Sequence, residues 1–145
     1  MKLTIFLAGA YKADENIDAE WRDKATLLLK QAADNVGADV NVINPLLYYP
    51  DGNVNFPDVS DSHRQAKSFY TRKIRSSDLV LVNLEDTAES VGSGQEVQFA
   101  VDHGIPVIGF NAGANSYRWI EEVDCEVAKT TLIKAVDYIR DYYMI

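Results

Sequence analysis

The sequence is poor in the residues that build disulfides and metal sites. It contains one cysteine, Cys125, and two histidines, His63 and His103. One cysteine cannot form an intramolecular disulfide, and two histidines this far apart lack the spacing of a zinc site. We therefore expect no bound metal and no cofactor, and we expect Cys125 to be a small core residue.

Long apolar runs are also missing. No stretch of about 18 apolar residues occurs, as a membrane-spanning helix would require. The chain passes from Met1 and Lys2 directly into LTIFLAG, without the zones of a secretory signal. These absences predict a cytoplasmic protein that does not interact with a membrane.

Positive charge is scarce. The formal net charge is -8, and the one local basic cluster is Lys67, Arg72, Lys73 and Arg75. This cluster falls on a predicted helix, where it is typical of a solvated face near the helix end. A negative protein without a basic face repels a phosphate backbone, so we do not expect DNA or RNA binding.

The length and the pattern of apolar residues predict one α/β domain covering residues 1–145. Strands are predicted at residues 2–8, 38–43, 78–84, 106–110 and, at an edge, 125–128; helices at 18–35, 62–76, 93–103, 117–122 and 130–142; and a loop with Tyr48, Tyr49 and Phe56 at 44–62. Alternating strands and helices favour a doubly wound, mostly parallel, five-stranded sheet with helices on both faces, similar to flavodoxin-like and Rossmann-like folds. Ligands of such sheets bind beyond the carboxyl ends of the strands.

The segment SVGSGQE, residues 90–96, follows the most apolar predicted strand and carries the best candidate for chemistry. It lacks the third glycine of a dinucleotide fingerprint and the Lys-Ser or Lys-Thr pair of a phosphate-binding loop. Its two glycines, Gly92 and Gly94, predict a tight turn that brings Glu96 into the first turn of a helix. The helix N-terminus would keep the Glu96 carboxylate ionised and able to act as a nucleophile. Alternatively, Glu96 is a helix-start residue that faces water.

Three stretches carry a family resemblance: AGAY after the first strand, SSD before the third, and SVGSGQEVQFAVDHGIPVIGF at residues 90–110. They resemble the nucleoside 2-deoxyribosyltransferases and the related 2′-deoxynucleoside 5′-monophosphate N-glycosidases. The resemblance implies an enzyme in which Glu96 attacks the anomeric carbon of a deoxyribose and forms a covalent glycosyl intermediate. A second base accepts the sugar in the transferases, and water accepts it in the glycosidases.

Two positions depart from the family pattern. Tyr70 stands where the family has an aspartate that contacts the base and assists proton transfer, and a phenol is a poor proton acceptor near neutral pH. Ser90 stands where the transferases have aspartate and the glycosidases have serine, so it favours a nucleotide as the substrate. The backbone amides of Ser93 and Gly94 would suit the anionic phosphate of such a substrate. However, AGAYKADEN at residues 8–16 is closer to the transferases. Because the family's acid is missing at Tyr70, a catalytically silent nucleotide-binding module of the same fold remains an alternative.

The resemblance also implies weaker candidates and a quaternary structure. Gly9 and Tyr11 fall where the family lines its sugar and base pocket, and Asn111 and Ser116 lie in the loop that often reaches toward a neighbouring subunit. Each residue can also be an ordinary turn or surface residue. The expected partner is a small-molecule nucleoside or nucleotide, and we expect a homodimer or a larger homo-oligomer.

Overall fold

Five strands alternate with four long helices along residues 2–10, 17–45 and 59–145, which are the part of the chain that the computed structural model describes. The strands are β1 (Lys2–Gly9), β2 (Asp39–Ile43), β3 (Leu79–Asn83), β4 (Val107–Phe110) and β5 (Val127–Ala128). The helices are α1 (Ile17–Val36), α2 (Val59–Arg75), α3 (Val91–Asp102) and α4 (Leu132–Tyr143). A 3₁₀ turn, Thr87–Glu89, precedes α3, and a π-helical segment, Ile120–Asp124, follows β4.

The described strands form one sheet in the order β2-β1-β3-β4-β5, and every neighbouring pair is parallel. β3 lies in the centre and all of its residues are buried, as expected for an apolar strand covered on both faces. The doubly wound α/β prediction is confirmed, and the sheet is parallel throughout the described strands.

Helices cover both faces of the sheet. On one face, Trp21, Leu29 and other apolar residues of α1 and α4 pack against Ile5, Leu7 and Leu81. On the other face, α2, α3 and the π-helical segment pack against the intervening strand residues, among them Phe6 and Val82. Because successive side chains of a strand point to opposite faces of the sheet, the same strands supply apolar residues to the cores on both faces. No helix within the described ranges is both long and apolar enough to cross a membrane.

Several predicted boundaries are wrong. α3 begins at Val91 instead of residue 93, because Ser90 is extended and its Oγ accepts the amide of Ser93 at 3.2 Å, which caps the helix. α2 begins at Val59, so the predicted loop at 44–62 ends earlier, and its aromatic residues lie outside the described part. The predicted helix at 117–122 is mainly the π-helical segment, and β5 spans two residues.

The carboxyl edge of the sheet is formed by β1, β3 and β4. Gly9 pairs with Asn83, and Asn83 pairs with Phe110, so the three strands end side by side. In a parallel sheet the helices that follow these strands begin at this edge, which brings the first turns of α1 and α3 to the same rim.

Candidate active site

Glu96 lies at the rim of the sheet, on the side of α3 that faces α2. It is the sixth residue of α3 and lies in the second helical turn. The sequence analysis had placed it in the first turn. The side chain is half-buried and lines a cleft of about 590 Å³. This volume is within the range of about 300–1,000 Å³ that is usual for small-molecule sites. The alternative of a Glu96 side chain that simply faces water is therefore not what the structure shows.

The carboxyl group of Glu96 has an unusual pKa. Burial raises the pKa from 4.5 to about 7, and the positive charge of Arg22 lowers it in part. The prediction that the helix N-terminus keeps Glu96 ionised is wrong, because Glu96 lies beyond the first turn, where the helix dipole has faded. Near neutral pH the group exists in both forms, a property more common at functional sites than elsewhere.

The cleft is bounded by α2 on one side and α3 on the other. Tyr70 and Lys67 of α2 face Gly92, Gln95 and Glu96 of α3. The Tyr70 ring is half-buried and makes an edge contact with Phe6, with ring centroids 6.3 Å apart. Of the candidates from the sequence, Glu96, Tyr70 and Gly92 thus share one cleft, which offers a carboxyl group, a phenol and an ammonium group to a ligand.

Gly92 and Gly94 are helical residues and do not form the predicted tight turn. Both lie within α3, neither has a positive φ angle, and a Cβ atom at either position would meet nothing within 4 Å. The turn is made earlier, by Asp86 with a φ of 59° and by the 3₁₀ turn that follows it. The missing side chain of Gly92 instead leaves open space in the cleft.

Alanine at either glycine should stabilise α3. We expect Gly94→Ala and Gly92→Ala each to raise the free energy of unfolding by about 0.5–1 kcal/mol, because alanine restricts the unfolded chain and the added methyl group meets no neighbour. Denaturant unfolding of both variants measures this. A loss of stability in either variant would mean that its glycine has a conformational role that the helix does not show.

Ser90 and Gly94 line a second cleft, of about 460 Å³, with Tyr117 on its wall. Gln95 and Gln98 line both clefts. Besides capping α3, the Ser90 Oγ lies 2.8 Å from the Ser93 Oγ. The prediction of an anion site at the amides of Ser93 and Gly94 is wrong, because these amides donate to the side chain and the carbonyl group of Ser90.

Gly9 and Asn111 meet around Asn83, a residue that the sequence analysis missed. Asn83 is 6% exposed, and its Oδ1 accepts the side-chain amide of Asn111 at 3.0 Å and the backbone amide of Glu85 at 3.1 Å. A Cβ atom at Gly9 would lie 3.1 Å from Trp21 and 3.2 Å from the Cβ of Asn83. Gly9 therefore allows close packing at the rim. The signal for Asn83 is a polar residue at the end of the most apolar strand.

Ser116 is held by the π-helical segment. Its hydroxyl group donates to Glu121 at 2.8 Å, and the amide of Gly113 donates to the same carboxylate. The loop is also tied to the 3₁₀ turn, where the amide of Tyr117 donates to the Thr87 hydroxyl group at 2.9 Å. Ser116 therefore has a structural partner and does not line the Glu96 cleft.

Arg22 is a second residue that the sequence analysis missed. Its side chain is 3% exposed, its Nη2 donates to the carbonyl oxygen of Gly9 at 3.4 Å, and its guanidinium group lies 4.6 Å from the centre of the Trp21 ring. The available signal was its spacing, since Arg22 precedes Ala25 by three positions and Leu29 by seven. That spacing places a charged residue on the apolar face of α1.

Tyr11 lies outside the described residues, so its predicted role stays a prediction. In residues 2–10, 17–45 and 59–145, no three His, Cys, Asp or Glu side chains come together as a group that could hold a metal ion. The part of the site that is described thus consists of the carboxyl groups of Glu96 and Asp102 and the other polar and aromatic residues of the cleft.

The fold and the cleft together define an α/β protein with a half-buried glutamate at the carboxyl edge of a parallel sheet. A solved 2-deoxyribosyltransferase from Bacillus psychrosaccharolyticus superposes with a TM-score of 0.71 and 17% identity, covering 93% of this chain and 91% of that chain. A conserved protein from Enterococcus faecalis V583 superposes with a TM-score of 0.56 and 15% identity, covering 95% of this chain and 99% of that chain. No protein-family model and no curated protein matches the sequence. At these identities the likeness shows the shared fold.

Proposed function

We propose that this protein cleaves or transfers the N-glycosidic bond of 2′-deoxynucleosides through a covalent glycosyl intermediate on Glu96. The observation that carries the proposal is the half-buried Glu96 carboxyl group in a cleft large enough for a nucleoside. The fold that the chain shares with a 2-deoxyribosyltransferase is consistent with it.

The chemistry needs one ionised carboxylate. As the bond between the anomeric carbon and the base nitrogen breaks, its electron pair leaves with the base and the sugar becomes positively charged. The Glu96 carboxylate stabilises this charge and then forms an ester bond to the anomeric carbon. Attack by a second base or by water releases the sugar and restores the carboxylate. Because burial raises the pKa of Glu96 to about 7, turnover should increase with pH through neutrality.

A nucleoside is a better match to the described site than a 5′-monophosphate. The two features of the sequence that favoured a phosphate were Ser90 and the amides of Ser93 and Gly94. Ser90 lines the second cleft, and the amides are used within the N-terminus of α3. The proposed substrate is therefore a deoxynucleoside, and monophosphate hydrolysis is the alternative.

Product analysis can test the function. The protein is incubated with a deoxynucleoside and a different free base, and separately with deoxynucleoside 5′-monophosphates, and the bases and nucleosides are separated by chromatography. Base exchange supports a transferase, and release of the base without exchange supports a hydrolase. Absence of turnover with every substrate contradicts the proposal. Ligand-induced thermal stabilisation without any product would then indicate a binding module.

Tyr70 provides a prediction about the departing base, which must be protonated as it leaves. We expect Tyr70→Asp to raise turnover by about tenfold or more, because a carboxyl group can both give a proton to the departing base and take one from the incoming base, whereas a phenol is a poor proton acceptor near neutral pH. Tyr70→Asn is the matched control, since it has nearly the same size and no acid. Equal turnover in the two variants would show that position 70 does not assist proton transfer.

The homo-oligomer expected from the resemblance is also a proposal. Val91 and Tyr117 line the second cleft and are 77% and 50% exposed, and Trp119 nearby in the chain is 57% exposed. Apolar side chains exposed together are typical of surfaces that a partner covers. Sedimentation velocity at several protein concentrations tests this, and a monomer throughout would contradict it.

A further inference from the structure

The side of α3 that lines the Glu96 cleft carries an aromatic residue, Phe99, one helical turn beyond the carboxyl group. We propose that the heteroaromatic base of the substrate packs on Phe99, so that the glycosidic bond lies over Glu96. The inference rests on the proposed function and adds to it the direction in which the substrate lies in the cleft. It concerns a residue to which the family resemblance assigns no role.

Three positions of α3 follow one another along the cleft. Gly92, Glu96 and Phe99 all line it, and their spacings of four and three residues place them on one side of the helix. Along the helix axis, Gly92 lies about 6 Å from Glu96 in one direction and Phe99 about 4.5 Å in the other. The cleft therefore offers open space at Gly92, then a carboxyl group, then an aromatic ring.

A deoxynucleoside has the same order of groups. Its anomeric carbon, which Glu96 would attack, stands between the base and the rest of the sugar. With the anomeric carbon at Glu96, the base lies on the side of Phe99 and the sugar on the side of Gly92, which has no side chain to fill the space. The reverse direction would leave the base without an aromatic residue of α3 to pack on. The first direction is favoured, because a planar base gains binding energy by stacking on an aromatic ring.

The Phe99 ring is held in a fixed orientation. The imidazole ring of His103 stacks on it, with ring centroids 4.1 Å apart and planes inclined by 28°, and the His103 Nδ1 lies 2.8 Å from the carbonyl oxygen of Phe99. Phe99 is half-buried, and the guanidinium group of the exposed Arg75 lies 5.9 Å from its ring centre, at the outer limit of a cation–π contact. The cleft reaches the ring beside these neighbours. An aromatic ring that is already ordered loses little entropy when a base packs on it.

The opposite wall of the cleft is formed by α2, from which Tyr70 faces the same space. Tyr70 is held by edge contacts with Phe6 and Phe69, with ring centroids 6.3 Å and 6.0 Å away. A base packed on Phe99 would therefore lie between α3 and position 70, where the proposed function needs a group that exchanges a proton with the base. The two positions have different tasks, since Phe99 holds the plane of the base and position 70 meets its edge.

Removing the ring should weaken the binding of a base but not of a sugar. In Phe99→Leu, which keeps an apolar side chain, we expect the Kd for adenine and for cytosine to rise about tenfold. The Kd for 1,2-dideoxyribose, a sugar without a base, should stay within about twofold of the wild type. Phe99→Tyr keeps the ring and should bind the bases nearly as the wild type does. In Gly92→Leu the pattern should reverse, because the added side chain occupies the sugar end of the cleft.

Binding can be measured without turnover, by titrating each probe into isotope-labelled protein and following the nuclear magnetic resonance signals. Tyr142→Leu is the matched control, because it removes an exposed aromatic ring from α4, on the other face of the sheet. If Phe99→Leu does not fold, the wild type decides the question: a nuclear Overhauser effect between the Phe99 ring protons and the protons of bound adenine supports the inference, and its absence overturns it.

The outcomes separate this inference from the proposed function. Weaker base binding in Phe99→Leu, with sugar binding unchanged and Tyr142→Leu like the wild type, supports the role of Phe99 whether or not turnover is found. Unchanged base binding, equal losses for base and sugar, or a wild type that binds no base overturns it. Weaker base binding in Gly92→Leu also overturns it, since the base would then lie at the opposite end of the cleft. Turnover that requires Glu96 alongside any of these contrary results would leave the proposed function standing.

Discussion

Glu96→Gln should lower turnover by about a thousandfold or more while the protein stays folded. A glutamine amide has nearly the shape of the carboxyl group, but it can neither carry the negative charge that stabilises the sugar cation nor form the ester intermediate. The effect should appear in kcat more than in KM, because the group acts on the reacting carbon. Initial rates at saturating deoxynucleoside measure it.

The control for this variant is Glu89→Gln. Glu89 is an exposed carboxylate of the 3₁₀ turn that lines the second cleft and not the Glu96 cleft. We expect its replacement to leave turnover within about twofold of the wild type, as is usual for an exposed side chain away from the reacting atoms. Full activity in Glu96→Gln, or equal losses in both variants, would contradict the assignment of Glu96 as the nucleophile.

Glu96→Gln should also change how stability depends on pH. The pKa of Glu96 is about 7 in the folded protein, against the ordinary value of 4.5 that applies to the unfolded chain. Between these two pH values the folded protein holds a proton that the unfolded chain has released. The stability linked to this proton is fully present below about pH 4.5 and is lost as the pH rises through about 7. The loss is at most about 3 kcal/mol, and smaller to the extent that water reaches the half-buried side chain.

The glutamine variant has no such proton. Relative to the wild type, Glu96→Gln should therefore gain unfolding free energy as the pH is raised from about 5 to about 8, and the two proteins should be closest at the lower pH. Urea unfolding of both proteins at several pH values measures the difference, in which the other titrating groups largely cancel. A difference that is constant with pH would show that the pKa of Glu96 is not raised by folding. The stability that the wild type loses as Glu96 ionises would be an example of stability given up for a functional group.

The sequence predicted the fold better than the site. β3 was predictable because a strand buried on both faces is a continuous apolar run, as in LVLVN of Leu79–Asn83. The alternation of strands and helices then predicted a mostly parallel sheet, but not the order of its strands. The start of α3 was misplaced because Gly92 and Gly94 were interpreted by turn chemistry, whereas the extended Ser90 caps the helix before either glycine.

The environment of Glu96 was not predictable from its neighbours in the chain. Its pKa depends on burial in a cleft built with α2 and on Arg22, which lies 74 positions earlier in the chain. Helix periodicity alone would have placed Arg22 on an apolar face, but it could not have paired that face with Glu96. Distances between helices follow from the packing of the whole sheet, which local patterns do not specify.

The most direct test of the central claim is to trap the intermediate on Glu96. The protein is mixed with a deoxynucleoside, quenched with acid within seconds and digested, and the peptide that contains Glu96 is examined by mass spectrometry. We predict that this peptide gains the mass of one deoxyribosyl group, that fragmentation places the group on Glu96, and that Glu96→Gln shows no such product. Turnover without any modified peptide, or with the sugar on another residue, would contradict the account.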